Sequence, residues 1–343
     1  MQLSDFHFDL PPELIARYPL AERSASRFLC LDAANGGMVH RQFHEVFHLI
    51  EEGDLLVFND TKVIPARLFG KKTTGGLVEV LVERILSSQR VLAQVRASKS
   101  PRIGDSLIFS ETISLQVVGR QEQFYELAYH DSNRTLLEVI EAIGQIPLPP
   151  YMHRLPEESD VERYQTVYAK HKGSVAAPTA GFHFDEVLLQ QLRDKNVDMG
   201  YLTLHIGAGT FAPVRVENIK EHKMHAEYLE ISAALCEQIN AAKARGKRVI
   251  AVGTTSLRAL ETASRDGEIK PYDGETNIFI YPGYHFRCAD ALITNLHLPS
   301  STLLMLVCAF GGYEQVMKAY QEAVQQSYRF YSYGDAMWME RKR

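Results

Sequence analysis

A long run of short alternating segments in the first half of the chain constrains the fold more than any other feature. Between Thr61 and Tyr129 apolar and polar residues alternate in the manner of β-strands, and no helical period interrupts the pattern. The segments LVEVLVERI and RVLAQVRA alternate on either side of Ser87-Ser88-Gln89, which is typical of a hairpin. SLIF, ISLQVV and QFYELAYH follow at short spacing. Such a series of five or six short strands without helices predicts a small antiparallel barrel.

The two ends of the chain have a different pattern, in which helices alternate with apolar strands. Residues 43–53 (FHEVFHLIEEG) predict an amphipathic helix that ends in Gly, and residues 54–60 (DLLVFND) predict a buried strand. Beyond the proline-rich segment 146–156, helices and strands alternate again until two closing helices. We therefore expect an α/β fold, in which residues 1–60 and 151–343 form a large mixed α/β domain and residues 61–150 form an inserted small antiparallel β-barrel domain.

Charge is distributed unevenly between these two predicted domains. The chain of 343 residues has a net charge of −5. This overall charge argues against a nucleic-acid partner. Between Lys62 and Arg102, however, nine basic residues accompany only two acidic ones, Glu79 and Glu83. A local excess of this kind gives a polyanion-binding surface on an acidic protein, although a solvated strand surface would have the same composition.

Several classes of protein are disfavoured by what the sequence lacks. Its four cysteines form no C-x-x-C pair, which favours a reducing compartment over a disulfide scaffold. The first residues do not have the pattern of a signal peptide, and the most apolar stretch, 302–310, is shorter than the ~20 residues of a membrane span. No two of the histidines His183, His205 and His297, which fall at predicted strand ends, have metal-ligand spacing, and no G-x-S-x-G or Walker motif occurs. We expect a cytoplasmic protein without a metal or a membrane partner.

The segment RVIAVGTTSLRALE is the most informative local motif. An apolar strand ends at Gly253, and Thr254, Thr255 and Ser256 open a helix whose free N–H groups attract anions. Arg258 lies one turn further on and adds a charged donor for a carboxylate or phosphate. Plain N-capping is the alternative, but a strand-to-helix junction is where open α/β sheets bind ligands.

Two further segments combine small residues with the end of a strand. TLHIGAGTFAPV contains Gly207 and Gly209, but Pro213 discourages the helix that a dinucleotide site requires. We interpret these glycines either as a tight turn or as positions where the backbone approaches a ligand closely. GSVAAPTAGFHFDE is a second run of small residues, and it predicts a closely packed loop or contact with a flat ligand before a helix cap at Asp185.

Three histidines and one aspartate are candidate acid–base groups. His183, His205 and His297 each fall at a predicted strand end beside Gly or Pro, and histidine titrates near neutral pH. A satisfied structural role is the more common explanation for any one of them. Asp60 follows the buried strand 54–60, so it is either part of an Asn-Asp turn or a buried carboxylate facing a cleft.

Taken together, long blocks of this sequence resemble the S-adenosylmethionine:tRNA ribosyltransferase-isomerases of queuosine biosynthesis, the QueA family. The resemblance extends from about Phe6 to Met337, with small departures at Ile206 and Leu296, where Val and Phe are expected. The blocks are DLPPELIARYPLAERSASRFL, GDLLVFNDTKVIPARLFGKKTTGGLVEVL, GSVAAPTAGFHF, TLHIGAGTFAPV, GTTSLRALE, TNIFIYPGY, TNLHLPSSTLLMLVCAFGG and YRFYSYGDAM.

The resemblance implies a large α/β domain with an inserted β-barrel and a tRNA-modifying activity. The family acts on tRNA whose wobble base is already 7-aminomethyl-7-deazaguanine. S-adenosylmethionine is consumed as a ribosyl donor, so no resident cofactor is expected, and the products are epoxyqueuosine in tRNA, adenine and methionine. Without the resemblance, a nucleotide-dependent oxidoreductase and a non-catalytic RNA-binding protein would be the competing interpretations. We further expect a monomer.

The implied chemistry assigns roles to the candidate residues. The donor's carboxylate or ribose hydroxyls are expected to bind Thr254, Thr255, Ser256 and Arg258 beside Gly207 and Gly209. The candidates for the general base and the general acid are His183, His205 and His297. Asp60 is expected to contact the donor's amine or sulfonium. The residues expected to contact tRNA are Lys71, Lys72, Lys99 and Arg102 in the barrel, and Tyr151 and Arg154 at the domain junction.

Overall fold

The computed structural model describes residues 1–131, 133–211 and 213–341. The strands are β1 (Arg27–Leu31), β2 (Met38–Gln42), β3 (Leu55–Asn59), β4 (Thr61–Val63), β5 (Arg67–Lys72), β6 (Leu77–Ser87), β7 (Arg90–Ala97), β8 (Ser106–Ile108), β9 (Ser114–Gln121), β10 (Phe124–Ala128), β11 (His171–Ser174), β12 (Asp198–His205), β13 (Glu227–Ile231), β14 (Val249–Val252), β15 (Tyr272–Thr276), β16 (Ala291–Asn295) and β17 (Ala336–Glu340). The α-helices are α1 (Val46–Leu49), α2 (Leu136–Ile143), α3 (Glu158–Arg163), α4 (Glu186–Asp194), α5 (Ala233–Ala244), α6 (Thr254–Ala263), α7 (Thr302–Gly311) and α8 (Tyr313–Gln325).

A large mixed sheet forms the centre of the molecule, with strand order β15-β13-β12-β3-β14-β16-β17-β1-β2. Its inner strands β12, β3, β14 and β16 are mutually parallel, so their carboxyl ends meet at one edge. Strands covered on both faces are continuously apolar, and β3 (LLVFN) is buried at every position. One core joins this sheet to α5, α6, α7 and α8, and a second core on the other face includes α1 and α4.

The strands between Arg67 and Ala128 close into an antiparallel barrel with the order β10-β7-β6-β5-β8-β9. Alternate residues of each strand point inward, and Val78, Val80 and Val82 of β6 pack there against Val91 and Ala93 of β7. Helix α2 contributes Leu136, Val139 and Ile140 to the same core. The large mixed α/β architecture with a small antiparallel barrel, which was predicted from the sequence, is therefore confirmed as a fold class.

The helix predicted over residues 43–53 is much shorter in the structure. A 3-10 turn (Phe43–Glu45) and α1 end at Leu49, and Ile50 is already extended. The Asp54 carboxylate accepts a hydrogen bond from the Glu51 amide at 2.9 Å, so a side-chain turn replaces the last helical turns. No helix in the described ranges has both the length and the apolar composition that crossing a membrane requires.

Candidate functional site

Several of the predicted site residues lie at or just beyond the carboxyl ends of β12, β3, β14 and β16. His205 ends β12, Asp60 follows β3, Thr254 follows β14, and His297 lies two residues beyond β16. Ligands in open α/β sheets bind at this edge, near the point where successive strands run to opposite sides of the sheet. Here the chain adds β12 on one side of β3, and β14 and β16 on the other. The sheet topology therefore places a candidate binding site at this edge.

A narrow cleft of about 70 Å³ opens at these strand ends. Its wall includes the run of small residues 176–180, which connects β11 to the following 3-10 turn (Thr179–His183). Its lining also includes Glu227, Arg258, His297 and Tyr331. Tyr331 has φ +75°, a conformation that is uncommon for a bulky residue and that concentrates at functional sites. Small-molecule sites usually enclose ~300–1,000 Å³, so this cleft is narrower than a typical ligand site.

The turn from β14 into α6 presents two of the three predicted hydroxyl residues to the cleft. Gly253 adopts φ +93°, a value that favours glycine, and it lets the chain turn directly from the strand into the helix. Thr254 and Thr255 then line the cleft. Ser256 points away, because its hydroxyl donates to the Val252 carbonyl at 2.8 Å and its side chain is fully buried.

Arg258 lines the cleft and forms a buried ion pair with a carboxylate that the sequence analysis did not single out. Its Nη1 donates to Glu227 Oε2 at 2.5 Å, and the two residues are 5% and 7% exposed. Its Nη2 is buried and has no hydrogen-bond partner among the described residues. A buried guanidinium donor without a partner is costly, so Arg258 retains one charged donor for an anion in the cleft.

The three candidate histidines occupy three different environments. His297 lines the cleft, with Nε2 at 2.9 Å from the Thr294 hydroxyl, and burial lowers its pKa to about 3. His183 lies behind the cleft, between the Ser26 hydroxyl at 2.6 Å and the Asn295 amide at 3.1 Å. Burial lowers the pKa of His183 to about 3 as well. Both rings are therefore neutral at pH 7, and Asn295, which is hydrogen-bonded to His183, lines the cleft.

His205 and Asp60 form a separate cluster that does not line the cleft. His205 Nδ1 lies 2.7 Å from the Thr61 hydroxyl, and burial lowers the pKa of His205 to about 4. Asp60 accepts a hydrogen bond from the Thr203 hydroxyl at 2.7 Å and lies 3.5 Å from His171 Nε2. Burial raises the pKa of the Asp60 carboxyl. Across the described ranges, no group of three or more His, Cys, Asp or Glu side chains is arranged to hold a metal ion.

The glycine pair after β12 makes room for side chains of the protein itself. A Cβ atom at Gly207 would collide with Glu83 Oε1, and one at Gly209 would lie 2.5 Å from the His225 ring. Glu83 belongs to strand β6 of the barrel, so the close approach that these glycines permit joins the barrel to the large sheet. Ala212 of the same motif lies outside the described residues.

Glu83 is a candidate functional residue that the sequence analysis missed. It is 6% exposed, and burial together with the nearby Glu227 raises its pKa to about 7, while the Ala208 and Gly209 amides oppose the rise. Its Oε2 is buried and has no partner within the described part of the chain. A shift in strand register between Val82 and Arg84 interrupts the alternation of β6 at Glu83. The one available signal was an acidic residue within an otherwise basic stretch.

The four barrel cations predicted to contact tRNA lie at the end of the barrel that is remote from the cleft. Lys72 Nζ donates to the Lys99 carbonyl at 2.9 Å, and Lys71 pairs with Leu77 at the start of β6. Glu83 lies six positions after Leu77 along β6, which corresponds to about 20 Å of strand. None of the four has a carboxylate within 4.0 Å among the described residues, unlike the paired barrel arginines Arg67, Arg84, Arg90 and Arg96.

Of the two residues predicted at the domain junction, one contacts the lining of the cleft and the other is held in an ion pair. Tyr151 packs edge-on against Tyr331, with ring centroids 3.9 Å apart, and its hydroxyl donates to Ser332 at 2.5 Å. Because Tyr331 and Ser332 line the cleft, Tyr151 supports its mouth. Arg154 is instead occupied by Asp160, with two hydrogen bonds of 2.6 and 2.7 Å, and its side chain is 10% exposed.

Comparison with known proteins agrees with this architecture. The family model described as queuosine biosynthesis protein matches residues 3–339. The crystal structure of an S-adenosylmethionine tRNA ribosyltransferase from Thermotoga maritima is similar, with 34% sequence identity and a TM-score of 0.57. That similarity covers 98% of this chain and 99% of the other. The resemblance predicted from the sequence is confirmed, and the chain belongs to the queuosine biosynthesis protein family.

Proposed function

We propose that this protein transfers and isomerises the ribosyl moiety of S-adenosylmethionine onto 7-aminomethyl-7-deazaguanine at the wobble position of tRNA. The products would be epoxyqueuosine in tRNA, adenine and methionine, with the donor consumed as a substrate. Membership of the family and the similarity to a tRNA ribosyltransferase support this reaction class. The single structural observation that supports it best is the cleft at the four parallel strand ends, which contains a buried guanidinium with an unpartnered donor.

In this proposal the donor lies across the amino terminus of α6. The Arg258 guanidinium binds the carboxylate of its methionine part, while Thr254 and Thr255 contact its hydroxyls. The small residues 176–180 leave a flat wall for the adenine ring. His297 is neutral at pH 7 and contacts the donor as a hydrogen-bonding group. Because the cleft encloses only about 70 Å³, the donor must widen it on binding.

The order of bond changes follows from the charge on sulfur. The sulfonium acidifies the adjacent 5′ carbon, so a base removes a proton there, and the electron pair forms a 4′–5′ double bond as the bond between the 4′ carbon and the ring oxygen breaks. The freed oxygen forms a carbonyl at the 1′ carbon and expels adenine, which takes up a proton. The aminomethyl nitrogen of the tRNA base adds to the 4′ carbon and loses a proton, which leaves a carbanion at the 5′ carbon. This carbanion attacks the 1′ carbonyl carbon and closes a five-carbon ring, and the oxygen anion formed there displaces methionine from the 5′ carbon as the epoxide closes. Excluding water protects the opened intermediate from hydrolysis, which a narrow cleft favours.

The tRNA would approach from the barrel side of the molecule. Lys71, Lys72, Lys99 and Arg102 bind phosphates, which position the anticodon arm without reading its sequence. The target base is splayed out of its loop and enters the cleft past Tyr331 and Tyr151. The cations lie about 20 Å from Glu83 along β6, so one RNA could contact both places.

Release of adenine tests this function directly. The protein is incubated with S-adenosylmethionine and with tRNA that carries the 7-aminomethyl-7-deazaguanine base, and adenine is measured by chromatography. We expect one adenine per modified tRNA, and none when the tRNA carries unmodified guanine. Bound tRNA without adenine would contradict the proposal and favour an RNA-binding protein. A change in nicotinamide absorbance without adenine would favour an oxidoreductase.

Two neighbouring hydroxyls of α6 provide a matched pair of variants. We expect Thr255→Val to raise the KM for S-adenosylmethionine about 3–10-fold, since one hydrogen bond contributes roughly 0.5–1.5 kcal/mol. Ser256→Ala should leave this KM unchanged, because the Ser256 hydroxyl is already bonded to the Val252 carbonyl. Steady-state kinetics of adenine release measures both values. Equal effects of the two substitutions would show that the donor does not contact this face of the helix.

A further inference from the structure

Two buried charged atoms without partners belong to residues that are both close to Glu227. One is Arg258 Nη2, a donor on helix α6, and the other is Glu83 Oε2, an acceptor on strand β6 of the barrel. Both residues are more than nine-tenths buried. A missing partner at such an atom is unfavourable, so each atom points to a ligand group of opposite charge.

We propose that Glu83 and Arg258 together form a receptor for the α-amino-acid group of the donor, in which Arg258 takes the carboxylate and Glu83 takes the ammonium. This inference rests on the proposed function, and it assigns a binding role to a residue of the barrel. An α-amino acid is the ligand class that supplies an anion and a cation on one carbon atom. The same receptor would hold the methionine that the reaction releases.

Glu227 completes the charge balance of this receptor. It pairs with Arg258 through Oε2 and lies near enough to Glu83 to raise its pKa. The three side chains together carry a charge of −1 when both carboxyls are ionised. S-adenosylmethionine has a sulfonium, an ammonium and a carboxylate, which amounts to a charge of +1. The receptor and the donor are therefore complementary in overall charge as well as in the two end groups.

The position of Glu83 on the barrel gives this receptor a second consequence. Glu83 contacts Gly207 at the end of β12, and the adjacent Arg84 pairs with Glu275 on β15 of the large sheet. A donor that bridges Glu83 and Arg258 would therefore connect the barrel to the sheet. The donor would fix the barrel, and with it the phosphate-binding cations, relative to the cleft.

Ligand analogues separate the two halves of the receptor. We would measure binding by calorimetry with three probes: L-methionine, 4-(methylthio)butanoic acid, which lacks the ammonium, and 3-(methylthio)propylamine, which lacks the carboxylate. Glu83→Gln should lower the affinity for L-methionine and for the amine about tenfold and leave the affinity for the acid unchanged. Arg258→Lys keeps the positive charge opposite Glu227. It should lower the affinity for L-methionine and for the acid but not the affinity for the amine. Glu79→Gln on the same strand is the matched control and should change nothing.

The pH dependence of methionine binding distinguishes a binding role of Glu83 from a structural one, because a purely structural Glu83 would not make the affinity depend on pH. Glu227 on β13 and Arg84 on β6 act on its charge, Arg258 on α6 pairs with Glu227, and His225 lies beside the glycine turn. Only ionised Glu83 binds an ammonium well, and its pKa is raised to about 7. Methionine affinity of the native protein should therefore fall about tenfold from pH 8 to pH 6. The Glu83→Gln variant should lose this difference.

The outcomes distinguish this inference from the proposed function. Equal affinity of native protein and Glu83→Gln for L-methionine, at both pH values, would overturn the receptor. The absence of L-methionine binding to the native protein in the same calorimetric experiment would overturn it as well. In either case adenine release from S-adenosylmethionine could still occur, and only its absence would contradict the ribosyl-transfer reaction.

Discussion

Neutralising the four cations at the remote end of the barrel will lower the affinity for tRNA about 10²–10³-fold at 0.15 M salt. The variant replaces four residues with Gln: Lys71, Lys72, Lys99 and Arg102. None of these side chains has a carboxylate partner within 4.0 Å among the described residues, so their charges are available to phosphates. Each phosphate contact releases counterions, so four lost contacts reduce the slope of log K against log salt by about 3.

The measurement is a salt titration of tRNA binding by fluorescence anisotropy. A control variant neutralises four exposed cations of the large domain, Arg193, Arg265, Lys270 and Lys318, so that the net charge changes equally. The control should lose much less affinity, and its salt slope should stay close to that of the native protein. Equal losses in the two variants would mean that tRNA responds to total charge and that the barrel end is not its binding surface.

Replacing Arg258 alone will destabilise the protein strongly, whereas replacing the whole ion pair will not. Arg258→Met leaves Glu227 buried without a counter-charge, and breaking such a pair reduces the free energy of unfolding by about 3–5 kcal/mol. The double variant with Glu227→Met removes both charges and should recover most of that loss. Arg245→Met breaks the exposed pair with Asp198, so it should cost less than about 1 kcal/mol.

In the same two Arg258 variants, kcat/KM should not follow the free energy of unfolding. If Arg258 binds the donor carboxylate, both variants lose a charged hydrogen bond of about 3 kcal/mol, so kcat/KM for S-adenosylmethionine falls about 100-fold. Urea unfolding and adenine-release kinetics give the two quantities separately. A stable double variant with native kcat/KM would show that Arg258 supports the fold and does not bind the donor.

Much of the fold was predictable because its elements have strong local patterns. The apolar run LLVFN is typical of a strand covered on both faces, and it is β3, an inner strand of the sheet that is buried at every position. The hairpin of β6 and β7 alternates apolar and polar residues over most of its length, as a barrel wall does, and has a short polar turn. The helix expected at 43–53 was too long because the pattern does not record that Asp54 bonds the Glu51 amide.

The site was less predictable because it depends on which face of the sheet each side chain takes. Ile206 lines the cleft, whereas its neighbour His205 points to the Thr61 side, since successive residues of a strand face opposite ways. A strand end in the sequence therefore does not say whether a histidine enters the cleft. Glu83 was missed for a related reason, because a register shift of β6 places it outside the regular alternation.

The central claim is that the donor binds in the cleft at the ends of β12, β3, β14 and β16, with its amino-acid end between α6 and the barrel. A crystal structure of the protein with S-adenosylmethionine and an anticodon stem-loop tests this most directly. We predict the donor carboxylate on Arg258, its ammonium at Glu83, and the extruded base beside Tyr331. A donor bound at Asp60 and His205, or any donor that contacts neither Arg258 nor α6, would contradict the account.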